Sequence, residues 1–307
     1  IKQILRSRPP SCLILIDAPD FHFRVAKMAS RMGIPVFYYI SPQVWAWRKR
    51  RIRFIQKHIR HMLCILPFEQ DFYARHGVQA DFVGHPLLQH LDKHIQTQPE
   101  VQGGRIAIMP GSRRMEIQKL LPEFTQAARL LHQRFPGLQF HLVQAQGISR
   151  QELTQGWPEE VPLQICPFRE RYELIQSSSL ALTASGTASL ECALLGTPAL
   201  VAYKLSPLSY AVAKLAVDVP FISLPNLILG REVFPEFIQS RARGENLAER
   251  AAEWLQDPAE LSRLREELAA LRAMLGRSNA ARQSARIVWS GINEGRQEGL
   301  DEASEQS

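Results

Sequence analysis

The chain has 307 residues, 45% of them hydrophobic and 22% charged, with a formal net charge of +7 at pH 7. It can bury a sizeable core, is long enough for two domains, and is not the composition of a disordered chain. No apolar stretch is long and charge-free enough to span a bilayer, residues 1–8 do not read as a signal sequence, and the four cysteines (Cys12, Cys64, Cys166, Cys192) lack the paired spacing of a zinc knuckle or disulfide framework, so a cytoplasmic protein is expected.

Taken in order, residues 12–16 read as a buried strand ending at Asp17, 25–32 as a helix and 36–40 as the next strand. A helix, a strand over 62–66, another helix and the short run 81–83 continue the alternation, which predicts a parallel α/β sheet. The polar stretch 96–104 breaks the pattern and reads as an interdomain linker. A second series opens at 105–109, passes through a helix over 116–135 to a strand at 139–143, and continues through strands at 163–165, 180–182 and 199–201. The expected fold class is α/β, with two tandem Rossmann-like domains over 1–95 and 104–235. Helices rich in Leu, Ala, Glu and Arg follow over 236–293, with packing back on the first domain open to them, and 294–307 reads as a disordered tail.

Much of the positive charge is local. Arg48, Lys49, Arg50, Arg51, Arg53, Lys57 and Arg60 follow Trp45 and Trp47 and interleave with Ile52, Ile55, Ile59 and Met62. The apolar members recur near the helical period, so the segment reads as an amphipathic basic helix with two tryptophans at its start. Trp45, Trp47, Arg48, Arg50 and Arg51 suit an anionic membrane surface. Nucleic acid is the competing partner, though no RNA-binding aromatic signature, zinc finger or helix-turn-helix supports it. A solvated helix whose apolar side simply faces the core is an equally good reading.

The most informative segment is Ala184-Ser185-Gly186-Thr187-Ala188-Ser189-Leu190-Glu191, a strand end, a small-residue turn and a helix start. Backbone N–H groups and the positive dipole end at Ser185, Gly186 and Thr187 make a phosphate cradle. Glu191, one turn further on the same face, can accept both hydroxyls of a ribose. Phosphate and ribose together suggest a nucleotide; the plainer reading makes Thr187 an N-cap and Glu191 a favourable charge near a helix start.

Pro110-Gly111-Ser112-Arg113 ends the first strand of the second series, where small residues allow close backbone approach and Arg113 can clamp a phosphate, with Ser112 beside it. In the first series, Asp17 stands at a strand end as a candidate general base, and Asp20 can orient it or bind a sugar hydroxyl; one of the two is also suited to capping the next helix. His85, in Gly84-His85-Pro86, is given at most a minor substrate contact. His58 and His61 lie one helical turn apart but lack a matching acidic or cysteine ligand, so no metal is expected.

The stretches 16–21, Ser41-Pro42-Gln43-Val44-Trp45-Ala46-Trp47, Leu66-Pro67-Phe68-Glu69, Gly84-His85, 110–113, 185–191 and Ser223-Leu224-Pro225-Asn226 with Gly230-Arg231 together resemble lipid-A-disaccharide synthases. These are inverting, metal-independent glycosyltransferases with the GT-B arrangement of two Rossmann-like domains. The family's opening Gly-Glu-x-Ser-Gly-Asp segment has no counterpart before Ile1, so the N-terminal domain is expected to be truncated.

The resemblance implies transfer of 2,3-diacylglucosamine from its UDP derivative to the 6-hydroxyl of 2,3-diacylglucosamine 1-phosphate, with release of UDP and no cofactor. It implies Asp17 as base, Arg113 and the 185–189 amides on the diphosphate, Glu191 on the ribose, and Asn226 in contact with donor or acceptor, or else merely in an Asx-type turn. It also implies a peripheral protein on the inner face of a Gram-negative-type inner membrane, with a homodimer left open. The rivals are another UDP-sugar enzyme of this architecture, an N-acetylglucosaminyltransferase or an epimerase, and a non-catalytic basic module binding membrane or nucleic acid.

Overall fold

A computed structural model describes residues 1–305 except 48, 95–100, 102, 218, 277 and 278. The chain divides into two units, one of residues 1–90, 216–218 and 275–307, the other of 91–215 and 219–274. Most of the expected 96–104 linker, like Arg48, lies outside the described residues.

The first unit opens with α1 (Lys2–Ser7) and carries a parallel sheet in the order β1-β2-β3-β4: β1 (Leu13–Ile16), β2 (Val36–Tyr39), β3 (His61–Cys64) and β4 (Ala80–Phe82). Between the strands run α2 (Pro19–Ser30), α3 (Ile52–His58) and α4 (Pro67–Ala74), and α5 (Pro86–His94) follows β4. Because side chains alternate along a strand, β2 sends Val36 and Tyr38 to one face and Phe37 and Tyr39 to the other. Val36 and Tyr38 pack with Val25, Ala26, Ile52 and Ile55 of α2 and α3. Phe37 packs with Leu63, Val83 and Val288. Covering both faces is why β2 is a continuous apolar run, whereas Ile14 and Ile16 of β1 are exposed.

The second unit is a six-stranded parallel sheet in the order β10-β9-β8-β5-β6-β7. Chain order gives β5 (Arg105–Met109), α6 (Arg114–Arg134), β6 (Gln139–Gln144), α7 (Arg150–Thr154), β7 (Leu163–Pro167), α8 (Arg171–Ser177), β8 (Leu180–Ala184), α9 (Thr187–Leu194) and β9 (Ala199–Tyr203). There follow α10 (Pro207–Ala216), α11 (Leu224–Leu229), β10 (Glu236–Ile238), α12 (Gly244–Gln256), α13 (Pro258–Met274) and α14 (Ala280–Glu305). The strand order reverses between β5 and β8. In open α/β sheets the ligand crevice lies outside the carboxyl ends of the strands at such a switch point.

The helices after 235 divide between the units. α12 buries Leu247, Ala251 and Trp254 in the core shared with Phe124 and Leu131 of α6, each large apolar side chain being worth about 1.5–3 kcal/mol over exposure. A Cβ on Gly244 would come within 2.5 Å of Gln126, so only glycine lets α12 approach α6 this closely. On α13, Arg265 donates to the Ser179 carbonyl and Arg272 to the Leu194 carbonyl, the latter meeting the negative end of α9. α14 belongs to the first unit, where a Cβ on Gly291 would come within 2.9 Å of the Phe37 ring. Its backbone stays helical to Glu305, through most of the segment read from sequence as a tail; Ala, Gln, Glu and Arg there are good helix formers.

Candidate active site

β8 is buried at every position and is followed by Ser185 and Gly186. Gly186 has φ 138° and ψ −150°, a conformation that L side chains rarely adopt, and it is the N-cap of α9. Thr187 is therefore the first helical residue rather than the cap, and no side chain caps the helix start. The Ser189 hydroxyl turns back to the Gly186 carbonyl at 2.7 Å, and the Ser185 hydroxyl donates to the Ile222 carbonyl at 3.0 Å. What faces outward is the backbone of 186–188 with the exposed Thr187.

Across the switch point, Gly111 has φ 115°, and a Cβ there would meet the Glu116 carboxylate at 2.6 Å. That carboxylate accepts the Ser112 amide at 3.3 Å and Arg113 Nη1 at 3.2 Å. Glu116, passed over in the sequence, thus closes the loop onto the first turn of α6, where an acidic group is favoured by the helix dipole. Arg113 is otherwise exposed to solvent.

Glu191 projects from α9 toward the start of α8. Its side chain is 9% exposed, and it pairs with Arg171, 11% exposed. Arg171 Nε lies 3.3 and 3.2 Å from the two carboxylate oxygens and Nη2 lies 3.0 Å from Oε1. The guanidinium sits 3.8 Å from the Phe168 ring centroid and 3.9 Å from that of Tyr172. The Tyr172 hydroxyl donates to the same carboxylate at 3.3 Å, and burial with the nearby Glu191 charge pushes this phenol up to about 12. Neither Arg171 nor its aromatic flanks carry a sequence motif; a basic residue beside two aromatics after a strand is the only local signal.

These groups line one cavity of about 460 Å³, bounded by Gly111, Ser112, Arg113, Glu116, Phe168, Arg171, 185–188 and Glu191. That is the size of a small-molecule site. Of the substrate-binding residues expected in this half of the chain, it unites Ser112, Arg113, Ser185, Gly186, Thr187 and Glu191.

Asn226 does not join them. It is fully buried; its amide donates to the Phe234 carbonyl at 2.7 Å and Glu236 at 2.8 Å, and its oxygen accepts the Val233 and Phe234 amides, both at 2.9 Å. Its hydrogen-bonding capacity is spent on the loop before β10, which favours the turn role over the substrate contact, the two readings its sequence allowed.

In the first unit, Asp17 is exposed and follows β1 with φ 51°, and Ala18 follows with φ 45°. Two consecutive left-handed non-glycine residues are strained. The corner is held through the Asp17 carbonyl, which accepts the Tyr38 hydroxyl at 2.6 Å and contacts His22 Nδ1 at 2.7 Å. Asp20 instead pairs with Arg51 at 2.5 Å, and Arg51 also lies 5.3 Å from the Phe23 ring centroid. His85 is buried; its Nδ1 accepts the Leu87 amide at 3.1 Å, and desolvation lowers its pKa to about 4.

The tryptophan-led basic helix is corrected in part. Trp45 is only 8% exposed, donates from Nε1 to Glu69 at 3.0 Å and meets the Phe68 ring edge-on. Glu69 also accepts the Ile65 and Leu66 amides, and burial raises its pKa to about 7. The segment 41–47 is therefore tied into α4 by a buried polar network. Ile52, Ile55 and Ile59 face the core, while Arg50, Arg53 and Lys57 are exposed, as is Trp47. His58 lies 3.3 Å from the Ser30 hydroxyl and His61 is 2.6 Å from Asp81. Among the described residues no three His, Cys, Asp or Glu side chains gather as a metal site, and no helix is long and apolar enough to cross a membrane.

Over residues 1–288 the sequence matches the family model described as lipid-A-disaccharide synthetase. It is 40% identical over 302 residues to the lipid-A-disaccharide synthase of Trichlorobacter lovleyi, covering 96% of this chain and 79% of the relative. It is 37% identical over 286 residues to that of Neisseria gonorrhoeae, covering 90% and 73%. Among solved structures it is similar to the UDP-GlcNAc 2-epimerase from Neisseria meningitidis bound to UDP-GlcNAc, with TM-score 0.64 and 15% identity over 95% of this chain and 79% of that one. It is also similar to the kitacinnamycin glycosyltransferase, with TM-score 0.61 and 13% identity over 93% and 77%. At such identities the structural likeness shows the fold alone, an α/β fold of GT-B type.

Proposed function

Because the chain belongs to the lipid-A-disaccharide synthase family, we propose that the cavity at the β5/β8 switch point holds the UDP of its sugar donor. The activity is that of an inverting glycosyltransferase of lipid A biosynthesis. It moves 2,3-diacylglucosamine from the UDP derivative to 2,3-diacylglucosamine 1-phosphate, giving lipid A disaccharide 1-phosphate and UDP. The observation that carries the proposal is the convergence of Arg113, the uncapped start of α9 and Glu191 on one cavity.

The diphosphate lies against the 186–188 backbone, where helix dipole and amide donors favour an anion. Arg113, on the rim and lightly held by Glu116, swings onto the phosphates and meets the charge that grows on them as the sugar leaves. Glu191 takes the ribose. In the first unit the Asp17 carboxylate removes the proton from the acceptor 6-hydroxyl as its oxygen bonds to the donor's anomeric carbon, while the bond from that carbon to the diphosphate breaks on the opposite face. Asp20 acts indirectly, through Arg51. The exposed Arg50, Arg53 and Lys57 meet an anionic membrane surface from which the acylated substrates are drawn, on the cytoplasmic side of the inner membrane.

The test is incubation with both acylated glucosamine substrates. The proposal expects UDP and a β-linked disaccharide in equal amounts. UDP released without disaccharide, or a donor epimerised at C2, would contradict it.

A further inference from the structure

Arg171 and Glu191 form a buried ion pair whose geometry exceeds what charge neutralisation needs. Removing two charges from water is costly, and such pairs are weak evidence of stability. Here the guanidinium meets both carboxylate oxygens at 3.0–3.3 Å, donates from Nη1 to the Phe168 carbonyl at 3.0 Å, and bonds through Nη2 to the Tyr172 hydroxyl. Rings cover it at Phe168 and Tyr172. Four of its five N–H donors are committed within the protein, which disfavours a main duty as a phosphate ligand. Three donors meet the carboxylate, with Arg171 Nε, Nη2 and the Tyr172 hydroxyl all on Oε1 and only Nε shared with Oε2; of about four lone-pair sites, the one left open is on Oε2, and Glu191 lines the cavity.

We infer that Arg171 is a positioning residue, a rigid fork that fixes the Glu191 carboxylate so that the lone pair left on Oε2 accepts the 2′-hydroxyl of a ribose. The inference rests on the reading of Glu191 as the ribose ligand. It makes the nucleotide site selective for ribose over deoxyribose, through a residue twenty positions away in the chain. A lysine keeps the charge but loses the planar fork.

The experiment is calorimetric titration of the full chain with UDP, 2′-deoxy-UDP and pyrophosphate. The proteins are the parent, Arg171→Lys, Tyr172→Phe and Glu191→Gln, with a thermal melt of each as a folding check. The parent should bind UDP roughly tenfold more tightly than 2′-deoxy-UDP, as expected for one charge-assisted hydrogen bond. Arg171→Lys should erase that ratio and leave pyrophosphate affinity unchanged, and Tyr172→Phe, which keeps the ring, should reduce it. A ratio preserved in both variants overturns the inference, as does a parallel loss of pyrophosphate affinity, which would make Arg171 a phosphate ligand or a purely structural residue. If Glu191→Gln keeps the parent's ratio, the ribose reading itself falls; if it loses the ratio while the other two variants keep it, only the role of Arg171 falls.

Discussion

The Tyr38 hydroxyl donates to the Asp17 carbonyl at 2.6 Å, from the middle of a neighbouring strand onto a backbone held at φ 51°. β1 and β2 pair in register with Ile16 opposite Tyr39, so the phenol is built into the sheet and the strained corner is fixed to a rigid element. Asp17→Asn should lower turnover by about 10²–10⁴-fold, the usual worth of a general base, with UDP affinity unchanged. Tyr38→Phe should cost about 1 kcal/mol of stability and lower kcat while leaving KM for the donor near that of the parent. Steady-state kinetics with a donor titration separate the two; near-normal turnover in Asp17→Asn rules that residue out as base.

Asn226→Ala should be a folding lesion and not a binding lesion. It takes away the Asn226 partner of the Phe234 carbonyl and of two buried amides at once, and one of the donors to the Glu236 carboxylate, which keeps the Ile222 and Ser223 amides. Breaking such a network costs about 2–4 kcal/mol. Urea denaturation should show that loss, and UDP should bind the folded variant as it binds the parent.

His85 makes stability fall in acid. Its folded pKa, lowered to about 4 by desolvation, lies below the unfolded value of 6.5. Between these values the unfolded chain binds the extra proton, so the contribution is complete above pH 6.5 and is lost as pH falls toward 4. The parent should lose about 2–3 kcal/mol more than His85→Gln on going from pH 7 to pH 4.5. Equal losses in paired denaturation curves would show that His85 does not carry this dependence.

For membrane docking, the cations rather than the tryptophan should matter. Replacing Arg50, Arg53 and Lys57 with Gln should weaken co-sedimentation with phosphatidylglycerol vesicles at low salt, by about 1 kcal/mol per well-placed charge. Trp45→Phe should leave vesicle binding unchanged and lower stability, since the indole is buried against Glu69. Unaltered binding in the triple variant places the lipid contact elsewhere.

Strands such as 36–39 and 180–182 were legible because their residues are apolar on both faces, and the turn at Gly186 was legible because small residues there have few other uses. What sequence could not supply is partnership across the fold. Trp45 reads as interfacial until Glu69, 24 residues on, is seen to accept its N–H. Asn226 suits a ligand or a turn equally until the loop before β10 is seen to take its hydrogen bonds, and Arg171 carries no signal until Glu191 meets it from the next helix. The basic helix illustrates the same limit, since periodicity identifies an apolar face without saying whether protein or lipid covers it.

Calorimetric titration of the parent, Gly186→Ala and Glu191→Ala with UDP and with pyrophosphate tests the nucleotide site most directly. Alanine at 186 would meet no neighbouring atom but would have to adopt φ near 138°, so it perturbs the amide cradle alone. The account predicts one UDP per parent chain, weaker binding of both ligands to Gly186→Ala, and a selective loss of UDP in Glu191→Ala. Failure of the parent to bind UDP, or equal losses of UDP and pyrophosphate in Glu191→Ala, would contradict it.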